Sequence, residues 1–295
     1  MVKIISINNF KGGVSKTSST AGIAYTLANM KNKVLVVDLD PQADVTDILL
    51  KTFEKNTYYI KSALQTENLE SLINTSVDEI LDSLLRKPKY NKTDLYHTLK
   101  EKKPIEDSVI YLSEYLSMIP SDFNMIGFPY LLEDLKLNRF EGAKYFNSFL
   151  EEIKDDYDYI LIDTPPTLSD FANNGIYACD FSLIVVQTHI RSFNAVEKLL
   201  NHLRNFKEMY DTDFDVLGLL PVMFKNNGKI DDFVFKLMKY VYGDNVLNNT
   251  VKQRERVKMW DVTGIKNEDM HDKEALDMYR RIVDELIERI GDSNG

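Results

Sequence analysis

The chain has 295 residues, with 36 Lys and Arg against 46 Asp and Glu, a net charge of −10 and 44% hydrophobic residues. That length suits one large α/β domain or two smaller ones. The acidic balance excludes a protein that coats nucleic acid with its whole surface, because phosphate binding draws on Lys and Arg. The single cysteine, Cys179, excludes an internal disulfide, a CxxC redox pair and a Cys-rich zinc site, and its place before the apolar run Phe181–Val186 predicts a small core residue. His97, His189, His202 and His271 are scattered without metal-ligand spacing. No run approaches the roughly 18 apolar residues of a membrane span, and no cleavable leader opens the sequence, so a cytoplasmic protein is expected.

In chain order, the Val-, Ile- and Leu-rich runs Lys3–Asn8, Lys33–Asp38, Tyr159–Asp163, Ser182–Gln187 and Val216–Pro221 read as buried strands. Segments long enough for helices lie between most of them, including Lys16–Met30, Phe140–Lys154 and Asn194–Glu208. This alternation predicts an α/β fold, a mostly parallel twisted sheet with helices on both faces, formed as a single domain over 1–295. Residues of about 55–107 break the rhythm with charged, helical-looking text, Leu69–Arg86 and Thr93–Lys103, punctuated by Pro88 and Pro104. They are expected to form a helical insertion beside the sheet rather than a second domain. Near the end, Leu276, Tyr279, Ile282, Val283, Leu286 and Ile290 share one face of a helix expected at about 274–290.

The first strand runs into Asn8-Asn9-Phe10-Lys11-Gly12-Gly13-Val14-Ser15-Lys16-Thr17-Ser18, with a helix to follow. This is the context of a phosphate loop: glycines let backbone N–H groups turn onto an anion, the helix N-terminus adds its dipole, and a lysine neutralises phosphate. Thr17 follows Lys16 directly, where its hydroxyl can meet Mg²⁺. The common GxxxxGK[ST] pattern is not satisfied, because Phe10 and Ser15 stand at its two glycine positions and a second lysine, Lys11, precedes the glycine pair.

Two further strands close on carboxylates. Val34–Asp38 continues into Leu39-Asp40-Pro41-Gln42, and Tyr159–Asp163 continues into Thr164-Pro165-Pro166. Carboxylates at the carboxyl ends of parallel strands, beside a phosphate loop, point to ligand chemistry. Asp40 is the candidate to orient an attacking water, with Asp38 near the metal shell and Asp163 holding Mg²⁺ through water. Phosphoryl transfer depends on such positioning and charge neutralisation more than on covalent chemistry.

Lys11-Gly12-Gly13-x-x-Lys16-Thr17-Ser18, Asp38-x-Asp40-Pro41-Gln42 and Asp163-Thr164-Pro165-Pro166 together resemble the ParA/MinD/Soj ATPases with a deviant Walker A loop. Pro120-Ser121 continues the likeness after their middle strand. Met1 stands directly before the first strand, so the similarity is to the short ParA form without an N-terminal helix-turn-helix. The resemblance covers Met1 to about Ile265 and is weakest over Thr57–Lys103. It implies a P-loop NTPase fold and a nucleotide site over Lys11–Ser18. In that site Lys11, the signature lysine, reaches the partner's nucleotide across an ATP-bound sandwich homodimer. It also places adenine near Pro221, Met223 and Asn226, although core packing explains Met223 equally well. The family usually has Gly at position 15, and a left-handed serine there costs about 1 kcal/mol.

The resemblance further implies ATP and Mg²⁺ as ligands and slow hydrolysis stimulated by a ParB-type centromere-binding partner. It implies too that the ATP-bound dimer binds double-stranded DNA without sequence preference and so associates with the nucleoid. Lys252, Arg254, Arg256 and Lys258, with Glu255 the only acid among them, resemble the family's basic stretch and carry a local charge of +3. They are either phosphate contacts or a solvated charged loop. A MinD-like membrane-associated ATPase is an alternative, but residues 268–295 hold nine acids against four bases, which an anionic lipid surface would repel. A nucleotide-gated binding module with little hydrolysis is another.

Overall fold

The computed structural model describes residues 1–9, 13, 15–53, 92–167, 169–225 and 228–292. The strands are β1 (Lys3–Asn8), β2 (Val34–Asp38), β3 (Ile110–Tyr111), β4 (Leu116–Ile119), β5 (Tyr159–Asp163), β6 (Phe181–Gln187), β7 (Asp215–Phe224) and β8 (Val251–Lys252). They form one sheet in the order β3-β4-β2-β5-β1-β6-β7-β8, parallel throughout except for the β3–β4 edge. The five strands expected from apolar runs are present with small shifts of their ends. The short β3, β4 and β8 were not legible as runs; β4 was anticipated only as the strand before Pro120-Ser121.

The helices are α1 (Lys16–Asn29), α2 (Asp44–Thr52), α3 (Leu95–Glu101), α4 (Phe128–Asp134), α5 (Arg139–Ala143), α6 (Tyr145–Leu150), α7 (Asp170–Tyr177), α8 (Ile190–Tyr210), α9 (Lys229–Tyr242), α10 (Glu255–Lys258), α11 (Trp260–Thr263) and α12 (Met270–Asp292). Alternation along the strands sends side chains to opposite faces. Ile4, Leu35, Val37, Ile160, Ile162, Ile184 and Val186 build one core under α3 to α9, and Cys179 is buried there. Ile5, Ile7, Val34, Val36, Leu161, Leu183 and Val185 build the other under α1, α2 and α10 to α12. The sheet is therefore covered on both faces, which is why its central strands read as unbroken apolar runs.

The Phe140–Lys154 helix is interrupted. Asn138 caps α5 in a capping box with Glu141. One turn later, the buried carboxamide of Asn174 in α7 takes over both ends of the bond that would link residues 142 and 146. Its oxygen accepts from the Phe146 N–H at 2.9 Å, and its nitrogen donates to the Gly142 carbonyl at 2.9 Å. A side chain inserted into the helical ladder breaks the helix without leaving a polar group unsatisfied.

Of the insertion expected at about 55–107, residues 54–91, including Leu69–Arg86, lie outside the described residues; Thr93–Lys103 contains α3, capped by Asp94. The C-terminal helix α12 starts four residues before its expected position and lays Tyr279 on Gly22 of α1. A Cβ at position 22 would stand 2.7 Å from the Tyr279 ring, so this close approach requires glycine.

Candidate functional site

Strand order alone assembles the site. β5 lies between β1 and β2, with Ile7 and Asp38 both in register with Asp163. The loop after β1 and the carboxylates that end β2 and β5 thus meet at one edge of the sheet. Lys16, the first residue of α1, sends Nζ to Asp163 Oδ1 at 2.8 Å, with side-chain exposures of only 6% and 1%. Thr17 Oγ1 donates to Asp163 Oδ2 at 3.2 Å, and Thr20 Oγ1 donates to Asp163 Oδ1 at 2.8 Å. Just before α1, Ser15 is left-handed at φ 57° and ψ 25°, and Gly13 has φ 71°. The serine adopts the conformation that favours glycine, with its carbonyl accepting from the Ser19 hydroxyl at 2.7 Å.

Asp38 is fully buried. Its Oδ1 accepts from the Asp40 N–H at 3.0 Å, and its Oδ2 accepts from the Thr46 hydroxyl at 2.7 Å and N–H at 3.2 Å. Burial, followed by the charge of Asp163, pushes its pKa well above the carboxylate range, against the pull of Thr46. Burial also raises Asp40, while the Gln42 N–H and the charge of Lys16 act the other way. Thr46 Oγ1 in turn accepts from the Ser121 N–H at 3.1 Å, tying this group to the chain after β4. Behind Asp163, the Thr164 hydroxyl donates to the Ile7 carbonyl at 2.9 Å and anchors the Asp-Thr-Pro-Pro segment to β1.

A cleft of about 610 Å³ opens over these groups, lined among others by Gly13, Ser15, Lys16, Thr17, Ser18, Asp40 and Pro166. Val257, Lys258 and Asp261 also line it, so the basic segment contributes a wall to the same cleft. Asp44 and Asp47 of α2 add acid to its rim. Partial burial and the charges of Asp40 and Asp261 push Asp44 up to about 6. Among the described residues no three His, Cys, Asp or Glu side chains form a metal-binding group. Mg²⁺ usually draws most of its ligands from water and substrate, with one or two from the protein. The Thr17 hydroxyl beside the Asp163 carboxylate fits that mode.

The expected nucleotide and metal residues divide into three groups. Gly13, Ser15, Lys16, Thr17, Ser18 and Asp40 line the cleft, with Asp38 and Asp163 buried behind them. Lys11, Gly12, Val14 and Asn226 lie outside the described residues. Pro221 and Met223 lie on β7 and do not line the cleft. Met223 has φ 57° where the β7–β8 register shifts, and it packs against the second core.

The basic strip looks different in space than along the chain. Arg254 Nη1 pairs with Glu274 Oε2 at 2.7 Å, and Arg256 Nε pairs with Asp272 Oδ1 at 3.0 Å. Asp269 also pairs with Arg256, and Lys258 bonds Glu255 at 2.7 Å. Lys252 belongs to β8. The acidic start of α12 thus neutralises much of the local +3. Thr20 and Thr46 were missed by sequence reasoning. For Thr20 a signal existed: it falls one helical turn after Lys16, on the same face.

A family model described as an AAA domain (AAA_31) matches residues 2–216. The chromosome-partitioning ATPase Soj of Thermus thermophilus is 25% identical over 291 residues, covering 98% of this chain and 97% of that protein. Among solved structures, apo McdA of Cyanthece has a TM-score of 0.74 at 19% identity, covering 98% of this chain and 100% of that one. Cobyrinic acid a,c-diamide synthase of Mycobacterium smegmatis, solved with an ATP analogue and magnesium, has a TM-score of 0.73 at 19% identity, covering 97% and 94%. With the loop, the two carboxylate-tipped strands and the family match in agreement, the chain belongs to the AAA domain family (AAA_31) and is a ParA-type P-loop ATPase.

Proposed function

We propose that this ATPase drives DNA partition, hydrolysing ATP in the cleft above Lys16, Thr17 and Asp163 and holding DNA in its ATP-bound dimeric form. The observation that carries the reading is the convergence of Lys16, Thr17 and Asp163 at the carboxyl ends of β1 and β5. The likeness to a chromosome-partitioning ATPase over nearly the whole chain supports it. In this reading Lys16 neutralises the β- and γ-phosphates and backbone N–H groups of Gly12 to Thr17 cradle them. Mg²⁺ bound by Thr17, and through water by Asp163, would offset the charge that develops on the transferred phosphoryl group. Asp40 orients the attacking water. Asp38, with both oxygens held by Thr46 and the Asp40 N–H, acts from behind the metal shell. Lys11 reaches the nucleotide of the second subunit, and Pro221, Met223 and Asn226 are candidates for the adenine side.

Lys252, Arg254, Arg256 and Lys258 are the proposed phosphate contacts on DNA, positioning without reading bases. Arg254 and Arg256 exchange the exposed Glu274 and Asp269 for phosphates when they do so. Two such strips on one dimer bind by avidity where a single strip binds weakly. A ParB-type partner is the proposed stimulator of hydrolysis. Membrane docking by α12 is disfavoured, because its apolar residues Tyr279, Ile282, Val283, Leu286 and Ile290 are already buried in the second core. Among the described residues no helix is long and apolar enough to cross a membrane.

The test is duplex binding with ATP, with ADP and without nucleotide at two salt concentrations, alongside phosphate release. Salt-sensitive binding that requires ATP supports partition. Binding to anionic vesicles in its place, or phosphate release no greater than that of Lys16→Ala, would overturn the reading.

A further inference from the structure

Asp163 is held by three donors from one helix, and they are not equivalent. Lys16 and Thr17 line the cleft, whereas Thr20, one turn deeper, is fully buried and does not. Thr20 Oγ1 stands 2.8 Å from Asp163 Oδ1 and 3.1 Å from the Lys16 carbonyl. A threonine hydroxyl in a helix commonly bonds the carbonyl four residues back. Here the carboxylate is the closer and the charged acceptor, so the single proton points to Asp163. Neighbouring hydroxyls serve elsewhere: Ser19 bonds the Ser15 carbonyl, and Ser18 lines the cleft.

We infer that Thr20 is a positioning residue that holds the Asp163 carboxylate in place when Lys16 and Thr17 engage nucleotide and cation. This rests on the ATP-binding reading of the cleft. An ammonium drawn onto phosphate weakens its pair with Asp163, whereas the Thr17 hydroxyl can meet a cation through its oxygen lone pairs and still donate to Oδ2. Asp163 is 1% exposed, so water cannot replace the lysine donor freely. A buried carboxylate must keep hydrogen bonds or lose its charge. Thr20 cannot reach the cleft, so its hydroxyl stays on Oδ1 throughout and fixes which oxygen faces the cation's water shell. Without it, Asp163 leans on Lys16 and competes with the phosphates for that ammonium.

Thr20→Val removes the hydroxyl at nearly constant volume, and Thr20→Ser keeps it. The measurement is affinity for a fluorescent ATP analogue across a magnesium titration, with ATP turnover read in parallel and thermal melting as the folding control. Thr20→Val should raise the magnesium concentration for half-maximal affinity roughly tenfold, about the worth of one hydrogen bond to a charged group. Its turnover number should fall at saturating ATP and magnesium, and Thr20→Ser should stay within about twofold of the parent chain. Thr20→Ala reads the same loss if the valine variant does not fold. An unchanged magnesium requirement in the folded variant lacking the hydroxyl overturns the inference, as does a serine variant equally impaired, which would point to packing of the methyl group. If the parent chain itself binds no nucleotide, the cleft reading fails and takes this inference with it.

Discussion

Two clusters of paired charge differ in burial: one lies under the cleft, the other on the segment that reaches the cleft at Val257 and Lys258. At the head of α1, Lys16 and Asp163 are 6% and 1% exposed. At the head of α12, Arg254 and Glu274 are 28% and 41% exposed, and Arg256, at 32%, pairs with the open Asp269 at 48% and with the buried Asp272 at 2%. Removing one partner of a buried pair strands a charge in low dielectric and is expensive. An exposed pair gains little from its attraction, because water solvates each partner almost as well. The first cluster is therefore built to hold a geometry, whereas in the second the Arg254–Glu274 and Arg256–Asp269 pairs can be exchanged for another ligand at small cost and the buried Asp272 keeps its hold on Arg256.

The contrast breaks most visibly at Lys16. Lys16→Ala should cost about 3 kcal/mol of stability by leaving Asp163 unpaired, and should abolish nucleotide binding; urea unfolding and nucleotide titration check both. Next comes Asp40→Ala, which should bind ATP but slow single-turnover hydrolysis by about 100-fold, the lower end for losing a positioned acid–base group. Unchanged turnover would remove Asp40 from the mechanism.

On the exposed side, Arg254→Ala should change stability by less than about 1 kcal/mol, whereas adding Arg256→Ala also unpairs the buried Asp272 and should cost more. The salt dependence of duplex binding should flatten by about one unit of slope per lost phosphate contact. Glu274→Gln with Asp269→Asn frees Arg254 and removes one of the two carboxylates on Arg256, and should tighten ATP-dependent duplex binding. If it does not, the α12 acids do not compete with DNA.

The smallest effect concerns Asp44, whose pKa is pushed up to about 6 by partial burial and by Asp40 and Asp261. The folded protein holds this proton where the unfolded chain, with its ordinary value of 3.8, has lost it. The contribution to stability is complete below about pH 4 and is lost as pH rises through 6. Asp44→Asn should remove that decline. The gain at neutral pH should be no more than about 1 kcal/mol, because Asp44 is open to the cleft and screened by solvent. Denaturant unfolding of both proteins between pH 4 and 7 measures it.

Much of this molecule was legible in the chain because the information is local. Strands buried on both faces must be apolar throughout, so β1, β2, β5, β6 and β7 appeared as runs. A loop that meets phosphate must join a strand to a helix and carry Lys16 and Thr17 at its end. The short β3, β4 and β8 carry too few residues to show a period, and their pairing comes from neighbours far along the chain. The break at Gly142 was hidden for a related reason, since the side chain that replaces the helical bond is Asn174. Thr46 was hidden too: nothing near it in sequence says that its hydroxyl will carry both Asp38 and the Ser121 N–H.

The basic strip marks the limit most clearly. Counted along the chain, Lys252 to Lys258 is a patch of +3 beside an acidic tail. In space the tail turns back, and Asp269, Asp272 and Glu274 sit on the arginines. The α/β class, the phosphate loop and the carboxylates that end β2 and β5 could be read from the chain alone, because strand burial and loop chemistry are written in consecutive residues. That Lys16, Thr17 and Thr20 share one carboxylate, and that acids at the head of α12 neutralise the arginines of the strip, came from packing. Electrostatic energy depends on separation through space, and 20 residues of chain between Arg254 and Glu274 close to 2.7 Å only when α12 packs onto α1 and the sheet.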